Sequence, residues 1–179
     1  MLHIIRFLVP GLLFIASIGS AAEGDVFTAM DVEVPKVRVQ APAITLDRPG
    51  GDQTVLTDFA GKVVLLNFWA TWCSPCREEM PAMQSLWEKY REQGFVIIAV
   101  AADRGKREQV MSFAEKLALT FPIVFDPEGE IRKRYEVVAL PMSYLIGRDG
   151  KISGRIIGKR EWGSGKADEM ITALLSQDQ

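Results

Sequence analysis

The stretch from Lys62 to Pro81, KVVLLNFWATWCSPCREEMP, limits what this chain can fold into more than any other. Val63 to Ala70 is almost continuously apolar and β-prone, the pattern of a parallel strand buried on both faces. The second half of the stretch opens a helix. Ser74 can cap its first turn, which puts Pro75 at the first helical position, where a missing N–H costs nothing. Between strand and helix lie Cys73 and Cys76, the only cysteines of the chain. Thiols at a helix N-terminus meet the positive end of the helix dipole and free N–H groups, which stabilise a thiolate and so a nucleophile. A structural disulfide is one rival reading, but a loop of four residues contributes only ~2 kcal/mol by the chain-entropy formula. A chain of 179 residues also buries a core without such a staple. A zinc site is another rival, yet no further Cys exists and the one His is His3. The pair therefore reads as a redox-active dithiol, with no metal or cofactor required.

The first 22 residues differ from the rest. His3 and Arg6 precede an apolar run from Phe7 to Ile18, and Ser20-Ala21-Ala22 offers small residues for cleavage. This is the pattern of a secretory signal peptide, or of an uncleaved anchor, and it directs the chain to an oxidising compartment. No Cys stands near the junction, which argues against a lipid-modified N-terminus. Residues 23–40 read as a linker or an added edge strand, because Val32, Val34, Val37 and Val39 alternate around Pro35. Residues 41–179 are long enough for one domain. A formal charge of −2 and a pI near 5.5 leave nothing to attract nucleic acid or anionic membranes.

Along the domain, Ala43–Leu46 and Gln53–Leu56 flank Pro49-Gly50-Gly51 as a hairpin-like pair, and residues 57–61 form a helical turn ended by glycine. The active-site helix runs from about Pro75 to Gln93 with Met80, Met83, Trp87 and Tyr90 on one face, and Gly94 stops it. Phe95–Ala101 is a second buried strand, so strand, helix and strand imply a right-handed parallel crossover. Val110, Phe113, Ala114 and Leu117 mark the next helix, Phe121–Phe125 a short strand, and Glu130–Tyr135 a short helix with a solvated basic face. Met142–Ile146 and Ile152–Ile157 form a hairpin turned by Asp149-Gly150. A last amphipathic helix carries Ala167, Met170, Ile171, Leu174 and Leu175. The expected architecture is α/β: a mixed sheet of about five strands with helices on both faces.

Cys73, ahead of the helix, is the expected nucleophile, and Cys76, in its first turn, the resolving thiol. Trp72 can shield the thiol, whereas Trp69 on the strand reads as packing. Glu79 falls three residues after Cys76, on the same side of the helix start.

The segments NFWATWCSPCREEMP and LPMSYLIGRDGKI resemble the thioredoxin superfamily, and within it the exported TlpA-like and ResA-like thiol:disulfide oxidoreductases. The resemblance spans roughly Ala41 to Leu175 and implies a thioredoxin-like fold with a central strand–helix insertion, made of the helix marked by Val110 to Leu117 and the strand Phe121–Phe125. It implies reduction of protein disulfides in the periplasm by a monomer. The partners would be disulfide-containing exported proteins and a membrane thiol-disulfide transporter that re-reduces the pair. By the same resemblance, Pro141 is cis and faces the disulfide, leaving the backbone of Leu140 open to an incoming peptide. Asn67 stands where thioredoxin carries a buried acid, and Glu79 matches a glutamate that serves the site in ResA-like proteins. Ala139-Leu140-Pro141-Met142 departs from the Gly-Val-Pro-Glu type of segment frequent in cytochrome c maturation, so that role is left unspecified. Two alternatives stay open: a net disulfide oxidant, and a redox-sensing or copper-handling binding module on the same fold. The lack of other Cys and of His beyond His3 opposes copper, though Met142 is near the site.

Overall fold

Two continuously apolar segments become the middle of a sheet, because only the middle buries both faces of a strand. The computed structural model describes residues 26–47, 53–105 and 107–177. In chain order its elements are β1 (Thr45–Asp47), β2 (Gln53–Val55), a 3-10 turn (Leu56–Phe59), β3 (Val63–Trp69), α1 (Ser74–Tyr90), β4 (Phe95–Ala101) and α2 (Arg107–Lys116). There follow β5 (Ile123–Phe125), α3 (Glu130–Arg134), β6 (Met142–Ile146), β7 (Ile152–Ile157) and α4 (Gly165–Ser176). The sheet order is β5-β4-β3-β6-β7, with β3, β4 and β5 parallel and β6 and β7 antiparallel to their neighbours. β1 and β2 pair separately as an antiparallel ribbon. The expected Pro49-Gly50-Gly51 turn and the expected export segment, residues 1–22, lie outside the described residues.

All seven residues of β3 and all seven of β4 are buried. Their alternation divides the core in two. On one face Val63, Leu65 and Trp69 meet Met80, Met83 and Leu86 of α1, Val110 and Ala114 of α2, and Met170, Ile171 and Leu174 of α4. On the other, Val64, Leu66 and Phe68 meet Leu56 and Phe59 of the 3-10 turn and Ile131 and Tyr135 at α3. Helices α1, α2 and α4 thus cover the first face and the short α3 the second. Each fully buried Leu or Ile contributes up to roughly 1.5–3 kcal/mol, so the first face anchors the site helix.

Three local outcomes follow from chain geometry. Helix α1 begins at Ser74, so Pro75 is its second residue and Cys73 its N-cap, correcting the expectation that Ser74 caps it. The helix gives way at Arg91–Gln93 to a 3-10 turn closed by Gly94 at φ 90°, a left-handed conformation that glycine adopts without steric cost. The 107–125 segment supplies β5, which extends the parallel side of the sheet beside β4.

The stretch ahead of β1 lies against the rest of the domain. Phe27 and Met30 are buried in the first core. Further on, Glu33 pairs with Arg155 and Gln40 with Lys151 as isolated antiparallel bridges along β7. Among the described residues no helix is long and apolar enough to cross a membrane.

Candidate active site

β3 delivers the chain to the site. After Trp69 the loop is held by Asp103, a buried carboxylate at the end of β4 that accepts from the Thr71 N–H at 3.0 Å and from the Thr71 hydroxyl. Gln109 of α2 donates to the same hydroxyl oxygen at 3.1 Å. The Cys73 N–H then bonds the Ala70 carbonyl at 3.1 Å, which turns the chain into α1. The Cys73 sulfur accepts the Cys76 N–H at 3.4 Å, taking the capping role and leaving the Ser74 hydroxyl to donate to Glu78.

Cys73 and Cys76 are joined, with an S–S distance of 2.05 Å. Their exposure differs: Cys73 keeps 6% of its surface and Cys76 none. Trp72 is 67% exposed beside them, whereas Trp69 is fully buried and packs on Phe113 of α2 with ring centroids 5.4 Å apart.

The Leu140–Pro141 bond is cis. Register places it: Phe68 pairs with Met142, so Pro141 enters β6 at the end of β3 that leads toward Cys73. Its carbonyl accepts the Gly158 N–H at 2.9 Å.

Behind the disulfide, on the α1 face of the sheet, lies a polar cluster within the apolar core. Asn67 of β3 and Ser143 of β6 are register partners, and the Asn67 amide donates to the Ser143 hydroxyl at 3.0 Å. The same amide nitrogen donates to Glu79 Oε1 at 3.2 Å. The other carboxyl oxygen, Oε2, accepts from the Trp162 indole at 3.1 Å and from the Arg160 backbone N–H at 3.2 Å. Glu79 is 3% exposed. Burial pushes its carboxyl up to about 7, against the Arg160, Trp162 and Asn67 hydrogen bonds and the Lys159 charge, which favour the ionised form. Near neutral pH this carboxyl can therefore take or give a proton. Glu78 behaves otherwise: it is exposed and pairs with Lys159 at 3.0 Å, and that ion-paired hydrogen bond holds its carboxyl below the usual range.

The structure thus brings Asn67 and Glu79 together, one helical turn beyond Cys76. Ser143, Arg160, Trp162, Thr71 and Asp103 escape a reading by motif. Ser143 had a faint signal, being a hydroxyl in the apolar run MSYLI, opposite Asn67 in VVLLNFW. Trp162 and Arg160 had none, since the fold carries them from the far end of the chain.

Residues 37–155, which include both cysteines, match the AhpC/TSA family. Thiol-disulfide oxidoreductase ResA of Bacillus thuringiensis subsp. konkukian is 43% identical over 128 residues, covering 72% of this chain and 73% of that protein. Its namesake from Geobacillus thermodenitrificans is 40% identical over 147 residues, covering 82% and 83%. The thioredoxin domain of a thiol-disulfide oxidoreductase from Bacteroides vulgatus superposes with a TM-score of 0.63 at 28% identity, covering 75% of this chain and 91% of that one. A disulfide capped into the first turn of a helix sits where such chemistry is done, and the chain belongs to the AhpC/TSA family as a thioredoxin-like thiol-disulfide oxidoreductase.

Proposed function

We propose that the chain acts as an exported reductant of protein disulfides, with Cys73 as nucleophile and Cys76 as resolving thiol. The Cys73 thiolate attacks one sulfur of a substrate disulfide, forming a mixed disulfide and releasing one substrate thiolate. Cys76 then loses its proton to the Glu79 carboxylate and attacks Cys73 Sγ. The Cys73–Cys76 bond forms, the second substrate thiolate leaves, and two electrons have passed to the substrate. The exposure of Cys73 against the closure of Cys76 supports this order.

The observation that carries the direction is the sign of the buried group. Glu79 is a carboxyl, and a carboxylate near a dithiol opposes thiolate formation, whereas strong oxidants stabilise the thiolate of their reduced form. Equilibration with glutathione tests it. We expect a potential nearer the roughly −270 mV of thioredoxin than the roughly −120 mV of a strong oxidant. A value at the oxidising end would reverse the direction.

The substrate would approach over Trp72 and the Leu140–Pro141 turn, where the exposed Val138 adds apolar surface and the Leu140 backbone offers hydrogen bonds. Residues 1–22 support export, as a signal peptide or an anchor, with a single domain following and residues 23–40 leading into it. In that compartment the pair is re-reduced by a membrane thiol-disulfide transporter, and the substrates are disulfide-containing exported proteins. A role in cytochrome c maturation is one form of this activity.

A further inference from the structure

We propose that Arg160 is a positioning residue for Glu79, and that through it the segment Phe27–Asp31 belongs functionally to the active site. The inference rests on the reading of Glu79 as proton acceptor for Cys76. Both donors to Glu79 Oε2, the Arg160 N–H and the Trp162 indole, ride on the same short connection between β7 and α4. That connection is irregular at residues 158–161, and Gly158 turns it out of β7 at φ 86°.

What holds it is the Arg160 guanidinium. Nη1 donates to the carbonyls of Ile157, Gly158 and Lys159 at 3.1, 3.3 and 2.9 Å, closing the loop on itself. Nε donates to the Met30 carbonyl at 2.8 Å, and Nη2 to the Asp31 carbonyl at 3.0 Å and carboxylate at 2.7 Å. Phe27 and Met30 are in turn buried in the core that holds Met80 and Trp162. One side chain thus ties the N-terminal segment to the backbone that aims two donors at the site carboxyl. An arginine suits this because its planar fork presents five donors at once.

The groups facing Glu79 are few. Cys76 precedes it by one turn on α1, Lys159 lies on the same connection as Arg160, and Asn67 and Ser143 are neutral. Glu78 is turned to Lys159. Loss of the Oε2 donors removes stabilisation from the ionised carboxyl, so the proton leaves Glu79 at higher pH.

The experiment is the pH profile of thiol alkylation in the full reduced protein. Glu79→Gln is expected to change the wild-type profile. Arg160→Ala is expected to raise the Glu79-dependent midpoint by about one pH unit, the scale of one hydrogen bond to a charged group. Arg160→Lys, with three donors, should restore part of that rise. Asp31→Asn, an exposed change that leaves the core alone, should produce a smaller rise of the same sign. In a Glu79→Gln background, Arg160→Ala should add no shift.

An unchanged profile in Glu79→Gln would end the proton-acceptor reading, and this inference with it. A changed profile there, with wild-type midpoints in Arg160→Ala and Asp31→Asn, would overturn the positioning role alone. So would an Arg160→Ala shift that persists without Glu79, or one that lowers thermal stability while the midpoint stays put. If Arg160→Ala does not fold, the Asp31→Asn midpoint decides.

Discussion

Glu79 accepts three hydrogen bonds and is still shifted up to about 7, because burial outweighs the donors. An unfolded chain returns it to an ordinary value of 4.5. Between those values the folded state holds a proton that the unfolded state has lost, so stability is full below pH 4.5 and falls as pH rises through 7. The loss is roughly 3 kcal/mol at most. Glu78 and Asp168 have lowered values and act with the opposite sign, chiefly as pH falls below about 4.5, and weakly because Glu78 is exposed and Asp168 only half-buried. Urea unfolding of the oxidised protein at pH 5 and pH 8 should show this decline, and Glu79→Gln should flatten it. A second prediction concerns the cysteines. Cys73→Ser should abolish disulfide exchange, whereas Cys76→Ser should accumulate a mixed disulfide with substrate, visible on a non-reducing gel. Preferential alkylation of Cys76 at limiting reagent would reverse the two roles.

At the scale of elements, short pieces depend on single side chains. The helix α3 has only five residues, too few to be stable alone. Buried Asp126 makes it possible: its oxygens accept the Ile131 and Arg132 N–H groups at 3.0 Å and pair with the Arg132 Nε at 3.0 Å. Asp126→Ala leaves two backbone donors and a half-buried guanidinium unmatched. The expected loss is about 2–4 kcal/mol in a denaturant titration, without change in the thiol chemistry. The long helix α1 is secured differently. Gln84 accepts the Thr120 N–H at 2.9 Å and donates to the Thr120 hydroxyl at 2.7 Å, which ties the helix to the segment entering β5.

Across the whole molecule, the sheet has two edges and treats them differently. β5 ends one side with three residues, a short edge that offers little to pair with. β7 ends the other and is covered by residues 33–40, held by the Glu33–Arg155 and Arg38–Asp149 ion pairs as well as the backbone bridges. Gly154 permits this closeness, since a Cβ there would lie 2.4 Å from Val32 Cγ1. Gly154→Ala should therefore push the segment off β7 at a cost of about 1–3 kcal/mol, the range for overpacking. Faster amide exchange at Glu33, whose N–H bonds the Arg155 carbonyl at 2.8 Å, would report it. Exchange unchanged from wild type would mean that Val32 simply rotates away.

The sequence by itself determined the buried strand β3, the helix after it and the cysteine pair between them. Those features are local: apolar continuity, a proline in the first turn and a three-residue spacing all act within one stretch of chain. It also determined the β6–β7 hairpin, through Asp149-Gly150, and the amphipathic helices, through their periodicity. The tertiary structure alone decided which sulfur or hydroxyl caps the helix, because the choice between Cys73 and Ser74 turns on where the first-turn N–H groups point. It alone surrounded Glu79. Asn67 comes from 12 residues before it, Trp162 from 83 residues after it, and Arg160 from 81. No local pattern encodes such a meeting. Sheet register sets Asn67 beside Ser143, a loop pinned by one guanidinium brings in the other donors, and burial by the surrounding core then holds the carboxyl near neutrality.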